Sequence, residues 1–279
     1  TRRMSNQLPK GFLASGMHVG LKSSGNFDLT LIQNCGPRFD AAAVYTTNKV
    51  IAAPVIWSQE VTKGEIVRAA ILNSGGANAC TGPDGFLDTH RTAEKVGELL
   101  EISSGEVVVC STGLIGERLP LEKILAGAEN LAGSLGRETL ADVARSIMTT
   151  DTVPKIARNL TGEVLTVGVA KGAGMLAPAL ATMLSVVMTD AILPPNAQEI
   201  FSRVCDRTFN RIDSDGCMST NDTVLLMSSG ASEVELSSNE IEEILTSICG
   251  SLAEQLIEDA EGSTKSVAIT VIGAASESD

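Results

Sequence analysis

Apolar residues recur along the chain in short runs that predict β-strands. Some runs alternate apolar and polar positions and others are continuously apolar, the patterns of half-buried and fully buried strands. Glycine, serine and asparagine at 14–16 and 22–26 predict two turns near the start of the chain. The predicted strands are 27–32, 41–47, 68–73, 106–110, 163–170, 183–188, 223–227 and 266–272.

Other stretches carry apolar residues three and four positions apart, which is the spacing of one helical face. The longest ends near Gly262, a residue type that commonly terminates helices. The length allows one large domain or two smaller ones, and no linker clearly separates two. The predicted helices are 86–101, 121–135, 138–148, 195–211 and 239–261.

One stretch stands apart because it carries no charge between Lys171 and Asp190, in a chain of which 20% is charged. Glycines and a proline first predict a turn, and the small pair Ala181-Thr182 then precedes the apolar run 183–188. This order would suit a threonine nucleophile that backbone cleavage exposes. A threonine at a new N-terminus carries its own base, an α-amine with a pKa of about 7.7–8.0.

The same stretch has simpler interpretations. An ordinary core strand after a glycine turn is favoured by the pattern alone. A membrane span is disfavoured, because the run only just reaches the ~18 residues required and contains glycine, proline and hydroxyl residues. The pattern therefore leaves the core strand and the nucleophile both open.

Composition narrows the function classes. The chain has 279 residues, 43% of them hydrophobic but only 3% aromatic, so we expect a large aliphatic core. The net charge of −13 and the lack of a basic cluster argue against nucleic-acid binding. Two histidines and six scattered cysteines make a metal site improbable. No apolar segment typical of a signal peptide follows the first residues, so a cytoplasmic location with reduced thiols is expected.

Several loops combine small and hydroxyl residues. The strand 106–110 runs into Thr112 and Gly113, whose backbone N–H groups could form an oxyanion hole, although a simple exit from the strand is favoured by sequence alone. The threonines at 149–152 follow a helix, where capping is the default interpretation. The loop 73–85 matches neither nucleotide-binding fingerprint, so close backbone packing is favoured over phosphate binding.

The polar loop 213–222 contains Asp-x-Asp-Gly, which is part of the pattern of a calcium-binding EF-hand loop. Val224 stands where that pattern requires a bidentate glutamate, so calcium binding is disfavoured.

Six segments together resemble the ornithine acetyltransferase family, whose members are glutamate N-acetyltransferases of arginine biosynthesis. They occur in the order expected for the family and over essentially the whole chain, and only their combination is specific. The charge-free stretch resembles the self-cleavage signature. The segments are 73–82, 110–116, 147–151, 171–184, 219–223 and 259–262.

The resemblance implies roles for individual residues. The chain would cut itself between Ala181 and Thr182, and Thr182 would become the acyl-accepting nucleophile. Thr112 and Gly113 match the oxyanion-hole pair of the family. The positions that match its substrate contacts are Thr149, Lys171, Thr182 and Glu261.

The implied reaction is a ping-pong acetyl transfer through an acetyl-threonine. N2-acetylornithine would acylate Thr182, ornithine would leave, and glutamate would take the acetyl group, with acetyl-CoA as a further potential donor. Lys171 near the new amine would lower the pKa of that amine, and Glu261 could pair with the ornithine ammonium group. No metal or organic cofactor is implied.

The fold implied by the resemblance is a mixed α+β, layered αββα sandwich forming one main catalytic domain. Cleavage would give an α chain of residues 1–181 and a β chain of 182–279, assembled as α2β2 or a larger oligomer. Family members extend past Asp279 and complete their substrate pocket there, so the β chain is expected to be truncated. Two alternatives stay open: a self-processing aminopeptidase or amidase of the same architecture, and a non-catalytic remnant.

Overall fold

The computed structural model describes residues 6–136, 139–177, 180 and 182–276, and they form two β-sheets flanked by helices. A four-stranded sheet has the order β1-β2-β4-β5, and a five-stranded sheet has the order β3-β9-β8-β7-β6. The strands are β1 (Phe12–Met17), β2 (Leu29–Asn34), β3 (Ala41–Tyr45), β4 (Ala69–Gly76), β5 (Val107–Leu114), β6 (Lys155–Thr161), β7 (Val164–Lys171), β8 (Leu184–Thr189) and β9 (Thr223–Ser228).

Each sheet has one parallel pair of strands, β4 with β5 and β8 with β9, and its other pairs are antiparallel. In the larger sheet Lys171, the last residue of β7, lies opposite Leu184, the first residue of β8. Leu184 in turn lies beside Thr223, the first residue of β9. The residues just before β8 and β9 therefore meet where β7 ends.

Helices pack against both sheets. They are α1 (Ala53–Thr62), α2 (Gly82–Leu100), α3 (Leu121–Ala132), α4 (Leu140–Ile147), α5 (Ala197–Arg207) and α6 (Ser238–Glu258). Helices α2 and α3 cover the outer face of the four-stranded sheet, and α5 and α6 cover that of the five-stranded sheet, whereas α4 packs in the core between the sheets. None of the described helices is both long and apolar enough to cross a membrane.

Successive residues of a strand point to opposite faces of its sheet, one toward the other sheet and one toward the helices. Val108 faces the other sheet, whereas its neighbours Val107 and Val109 pack toward α2 and α3. On the larger sheet, Val186 faces inward and Val187 packs toward α5 and α6. Because both faces of each sheet are covered, the strands are apolar on both faces. The predicted αββα sandwich is confirmed.

The structure corrects two predictions here and adds elements that were not predicted. The predicted turn at 14–16 lies inside β1, where Ala14 is buried and pairs with Ile32. Strand β6 and helix α1 were not predicted at all. The long helix ends at Glu258, before the predicted residue 261, because Asp259 accepts hydrogen bonds from Thr152 and Lys155.

The predicted last strand, 266–272, is wrong for this structure. The segment has no strand pairing among the described residues, and its apolar side chains are exposed, with Ile269 86% and Ile272 88% accessible. A β-pattern creates a strand only where a neighbouring strand accepts its hydrogen bonds.

Candidate active site

Thr182 lies in the turn that leads into β8. Its backbone N–H donates to the carbonyl oxygen of Met175 at 2.7 Å. Its hydroxyl oxygen Oγ1 is buried and has no hydrogen-bond partner among the described residues. Buried hydroxyl groups are normally paired, so an unpaired one at this position suits a group that awaits a reaction partner. Ala181, the predicted residue before the cleavage point, lies outside the described residues.

Lys171 connects the two sheets beside this turn. It is 2% exposed, and its Nζ donates to Thr112 Oγ1 at 3.3 Å. Burial lowers the pKa of Lys171, and the negative charges of Asp151 and Asp222 only partly oppose that shift. The next residue, Gly172, packs so closely that a Cβ there would lie 2.9 Å from the carbonyl oxygen of Thr182. The predicted substrate lysine, oxyanion residue and nucleophile are thus brought into one region.

Gly113, the second predicted oxyanion residue, occupies a backbone conformation that favours glycine. Its φ is +132°, and an added Cβ would lie only 2.6 Å from the backbone nitrogen of Gly76. The parallel register places Gly75 beside Gly113 and Ser74 beside Thr112. The small residues of the 73–76 segment are therefore explained by close packing of β4 on β5, as the sequence indicated.

Asp151 joins the predicted substrate residue Thr149 to the turn after Lys171, an arrangement that the sequence did not reveal. Its Oδ1 accepts from the Gly172 N–H and from Lys155 Nζ, both at 2.7 Å, and its Oδ2 accepts from the Thr149 N–H at 2.9 Å. Burial opposes ionisation of Asp151, but the charges of Lys171 and Lys155 and these hydrogen bonds outweigh burial and lower its pKa. The aspartate is part of the 147–151 segment, which was its only signal in the sequence.

Glu261 reaches the same region from the end of α6. Its N–H donates to the carbonyl oxygen of Ala173 at 2.7 Å. Its carboxylate lies over Gly174, where an added Cβ would approach the carboxylate atoms to 2.9 Å. Within the described ranges this carboxylate makes no ion pair, so it is available to a cationic group.

A cavity of about 340 Å³ opens beside Thr149 and Asp151. Lys22 and Arg145 line it as well, so it presents both signs of charge. The Lys22 ammonium is held by the carbonyl oxygens of Phe27 and Met148, each at 2.7 Å. The cavity has the size and the polarity for a small zwitterion such as an amino acid.

Asp222 is a second residue whose place the sequence did not reveal. Its Oδ1 accepts from the N–H of Met183, the residue after Thr182, at 2.9 Å. Its Oδ2 has no partner of good geometry in the described part of the chain, although the hydroxyl groups of Thr46 and Ser219 lie near. Burial raises the pKa of Asp222 to about 8, against the Met183 hydrogen bond and the Lys171 charge.

Comparison with known proteins identifies the family. The model of the ArgJ family matches residues 13–279. The chain belongs to the ArgJ family. The "Arginine biosynthesis bifunctional protein ArgJ" of Streptomyces avermitilis is 54% identical over 278 residues, which cover 99% of this chain and 72% of that protein. The protein of the same name from Thermobifida fusca is 51% identical over 277 residues, 99% of this chain and 72% of its own length.

Solved structures agree with this family. Ornithine acetyltransferase from Mycobacterium tuberculosis, in complex with ornithine, is 46% identical with a TM-score of 0.56, covering 62% of this chain and 94% of its own. The ArgJ protein of Bacillus halodurans is 39% identical with a TM-score of 0.55, covering 61% of this chain and 91% of its own.

A Burkholderia β-aminopeptidase shares only the fold, at 10% identity and a TM-score of 0.55 over 92% of this chain and 86% of its own. Membership in the ArgJ family therefore confirms the predicted family and enzyme class, an acyltransferase of arginine biosynthesis. The aminopeptidase alternative is not favoured.

Proposed function

We propose that this chain moves an acetyl group from N2-acetylornithine to glutamate through an acetyl ester on Thr182. The observation that carries the proposal is the buried hydroxyl of Thr182, which has no partner among the described residues. It belongs to a turn that packs on Gly172, directly after Lys171, whose ammonium group reaches Thr112. The relative of known structure that binds ornithine supports the choice of that substrate.

The nucleophile requires a preparatory step. Thr182 Oγ would attack the carbonyl carbon of Ala181, the amide nitrogen would leave as the Thr182 α-amine, and water would hydrolyse the resulting ester. The products are the α chain 1–181 and the β chain 182–279. The new amine then accepts the hydroxyl proton in each acylation, because its pKa of about 7.7–8.0 lies near neutral pH.

Transfer takes place in two half-reactions. In the first, Thr182 Oγ attacks the acetyl carbonyl of N2-acetylornithine, with Thr112 and Gly113 stabilising the oxyanion, and ornithine leaves with a proton. In the second, the amine of glutamate attacks the acetyl ester and restores the hydroxyl. Thr149 and Lys171 contact the substrate, and Glu261 pairs with the side-chain ammonium of ornithine.

The relatives are named bifunctional, and we propose that acetyl-CoA also acylates Thr182. We place the enzyme in the cytoplasm, where the thiols of Cys80, Cys110, Cys205, Cys217 and Cys249 would stay reduced. The cleaved chains stay together, and we propose an α2β2 or larger assembly, measurable as the mass of the native protein in solution.

Mass spectrometry after incubation with N2-acetylornithine tests the transfer. We expect one acetyl group on the peptide that begins with Thr182, and its loss when glutamate is added, with N-acetylglutamate as product. Loss of the acetyl group to water at the same rate without glutamate would instead indicate a hydrolase. An unacylated protein would refute the proposed donor.

A further inference from the structure

Among the buried polar residues of the segment 219–223, Asn221 and Asp222 hold parts of the site that the proposed mechanism does not explain. Asn221 is 5% exposed and Asp222 is fully buried. They are neighbours in sequence, yet their side chains bind opposite halves of the site. Buried polar side chains that form hydrogen bonds to several elements help to fix the relative position of those elements.

Asn221 holds the oxyanion side. Its Nδ2 donates to the carbonyl oxygen of Ser111 at 2.9 Å and to that of Ala77 at 2.6 Å. Ser111 directly precedes Thr112, and Ala77 directly follows β4. The hydroxyl of Thr220 donates to Asn221 Oδ1 at 2.6 Å and so orients the amide.

Asp222 holds the nucleophile side. Its Oδ1 fixes the peptide N–H of Met183, which is bonded to Thr182, and its backbone carbonyl accepts from the Thr46 N–H at 3.0 Å. Because Asn221 and Asp222 are adjacent residues, their hydrogen bonds link Ser111 of β5 in one sheet to Met183, just before β8, in the other.

We propose that Asn221 and Asp222 are positioning residues that fix the distance between the oxyanion pair Thr112–Gly113 and the nucleophile Thr182. The inference rests on the proposed function. A misplacement of about 1 Å at such a site costs about 100-fold in rate. The role requires the Asp222 Oδ1 acceptor and does not require a negative charge.

The test compares four variants of the full chain, with scission followed on denaturing gels and acetyl transfer followed by N-acetylglutamate formation. For Asn221→Ala we expect kcat to fall about 100-fold while KM for N2-acetylornithine changes less than about threefold. Asp222→Ala should slow scission about 100-fold, and Asp222→Asn, which retains the acceptor oxygen, should keep it within about threefold of the wild-type rate.

Asn34→Ala is the matched control. Asn34 is equally buried and also joins the two sheets, since its Nδ2 donates to the carbonyl oxygen of Ser228 at 2.8 Å. Ser228 lies at the far end of β9, about 17 Å along the strand from Thr223. We expect this variant to lose stability as Asn221→Ala does, but to keep kcat.

Equal losses of kcat in Asn34→Ala and Asn221→Ala would overturn the inference, as would wild-type kcat in Asn221→Ala. Asp222→Asn that is as slow as Asp222→Ala would show that the charge matters and not the placement. If Asp222→Ala does not fold, the comparison of kcat between Asn221→Ala and Asn34→Ala still decides whether the inference holds. A wild-type chain that neither cuts itself nor transfers acetyl groups would refute the proposed function, which is a different outcome.

Discussion

Lys171 is a buried cation beside the residue that we propose becomes an N-terminal amine. Its ammonium group is close enough to Thr112 for a hydrogen bond, and its backbone pairs with the first residue of β8. A cation near an amine disfavours protonation of that amine by like-charge repulsion. The lysine would therefore keep the Thr182 amine in its basic form near neutral pH.

Lys171→Met tests this effect. We expect the acidic limb of the pH profile of kcat/KM to move about one unit to higher pH in the cleaved variant, because the amine pKa rises when the cation is removed. Lys63→Met, at an exposed lysine paired with Glu60, should leave the profile unchanged. If the acidic limb of Lys171→Met stays at the wild-type pH, Lys171 does not lower the pKa of the Thr182 amine.

The residues of the candidate site that lie in recognisable motifs could be selected from the sequence. Thr112, Lys171 and Thr182 were selected from motifs, and the structure brings them into one region, while their catalytic roles stay predictions. Asp151 and Asp222 were not selected, because their partners Gly172 and Met183 lie 21 and 39 residues away. Contacts of that range depend on strand order, which no local pattern contains.

Among the elements, the ends of β4 and β5 pack closely around the predicted oxyanion pair Thr112 and Gly113. Gly113→Ala should lower kcat about 100- to 1,000-fold, since the new Cβ would collide with the Gly76 backbone and displace the donors. Gly116→Ala is the control: its φ is +84°, but an added Cβ meets nothing within 4 Å. It should cost only about 1–2 kcal/mol of stability. Equal loss of activity in both variants would contradict the placement of the oxyanion pair.

Elements were predicted well where burial follows from local pattern and poorly where it follows from distant partners. The apolar runs 163–170 and 183–188 became β7 and β8. Strand β6 was missed because it begins with a lysine, and Lys155 is buried only through its ion pairs with Asp151 and Asp259. The prediction for 266–272 was wrong for the opposite reason: its pattern is typical of a strand, but no strand among the described residues pairs with it.

Across the whole molecule, these ion pairs join β6, the loop that carries Thr149 and Asp151, and the end of α6. Asp151→Asn should lower the free energy of unfolding at pH 7 by about 3–5 kcal/mol, because it leaves buried Lys155 and Lys171 with one fewer counter-charge. Urea unfolding measures this free energy. Asp142→Asn, which breaks only the exposed pair with Arg145, should change it by less than about 0.5 kcal/mol.

The difference in free energy of unfolding between wild type and Asp151→Asn depends on pH because the pKa of Asp151 is lowered. A carboxyl group with a lowered pKa stabilises the fold above its ordinary pKa of about 3.9 and loses the effect as pH falls through the lowered value. The gap between wild type and Asp151→Asn should therefore be full at pH 7 and shrink below about pH 4. A gap that is constant down to acid unfolding would contradict the ion-pair role.

The layered architecture places the site where the two sheets meet. Lys171 and Thr112 belong to different sheets, and the turn that carries Thr182 lies where β7 ends and β8 begins. The αββα class could be predicted through the family resemblance, but the strand order and the two parallel pairs could not. Those features bring residues from five separate segments of the chain to one region.

The intact mass of the purified protein shows whether the chain cuts itself before Thr182. We expect two polypeptides, of 181 and 98 residues, the smaller one beginning with Thr182, and a single uncut polypeptide of 279 residues for Thr182→Ala. A wild-type protein that stays one covalent chain and still transfers acetyl groups would contradict it.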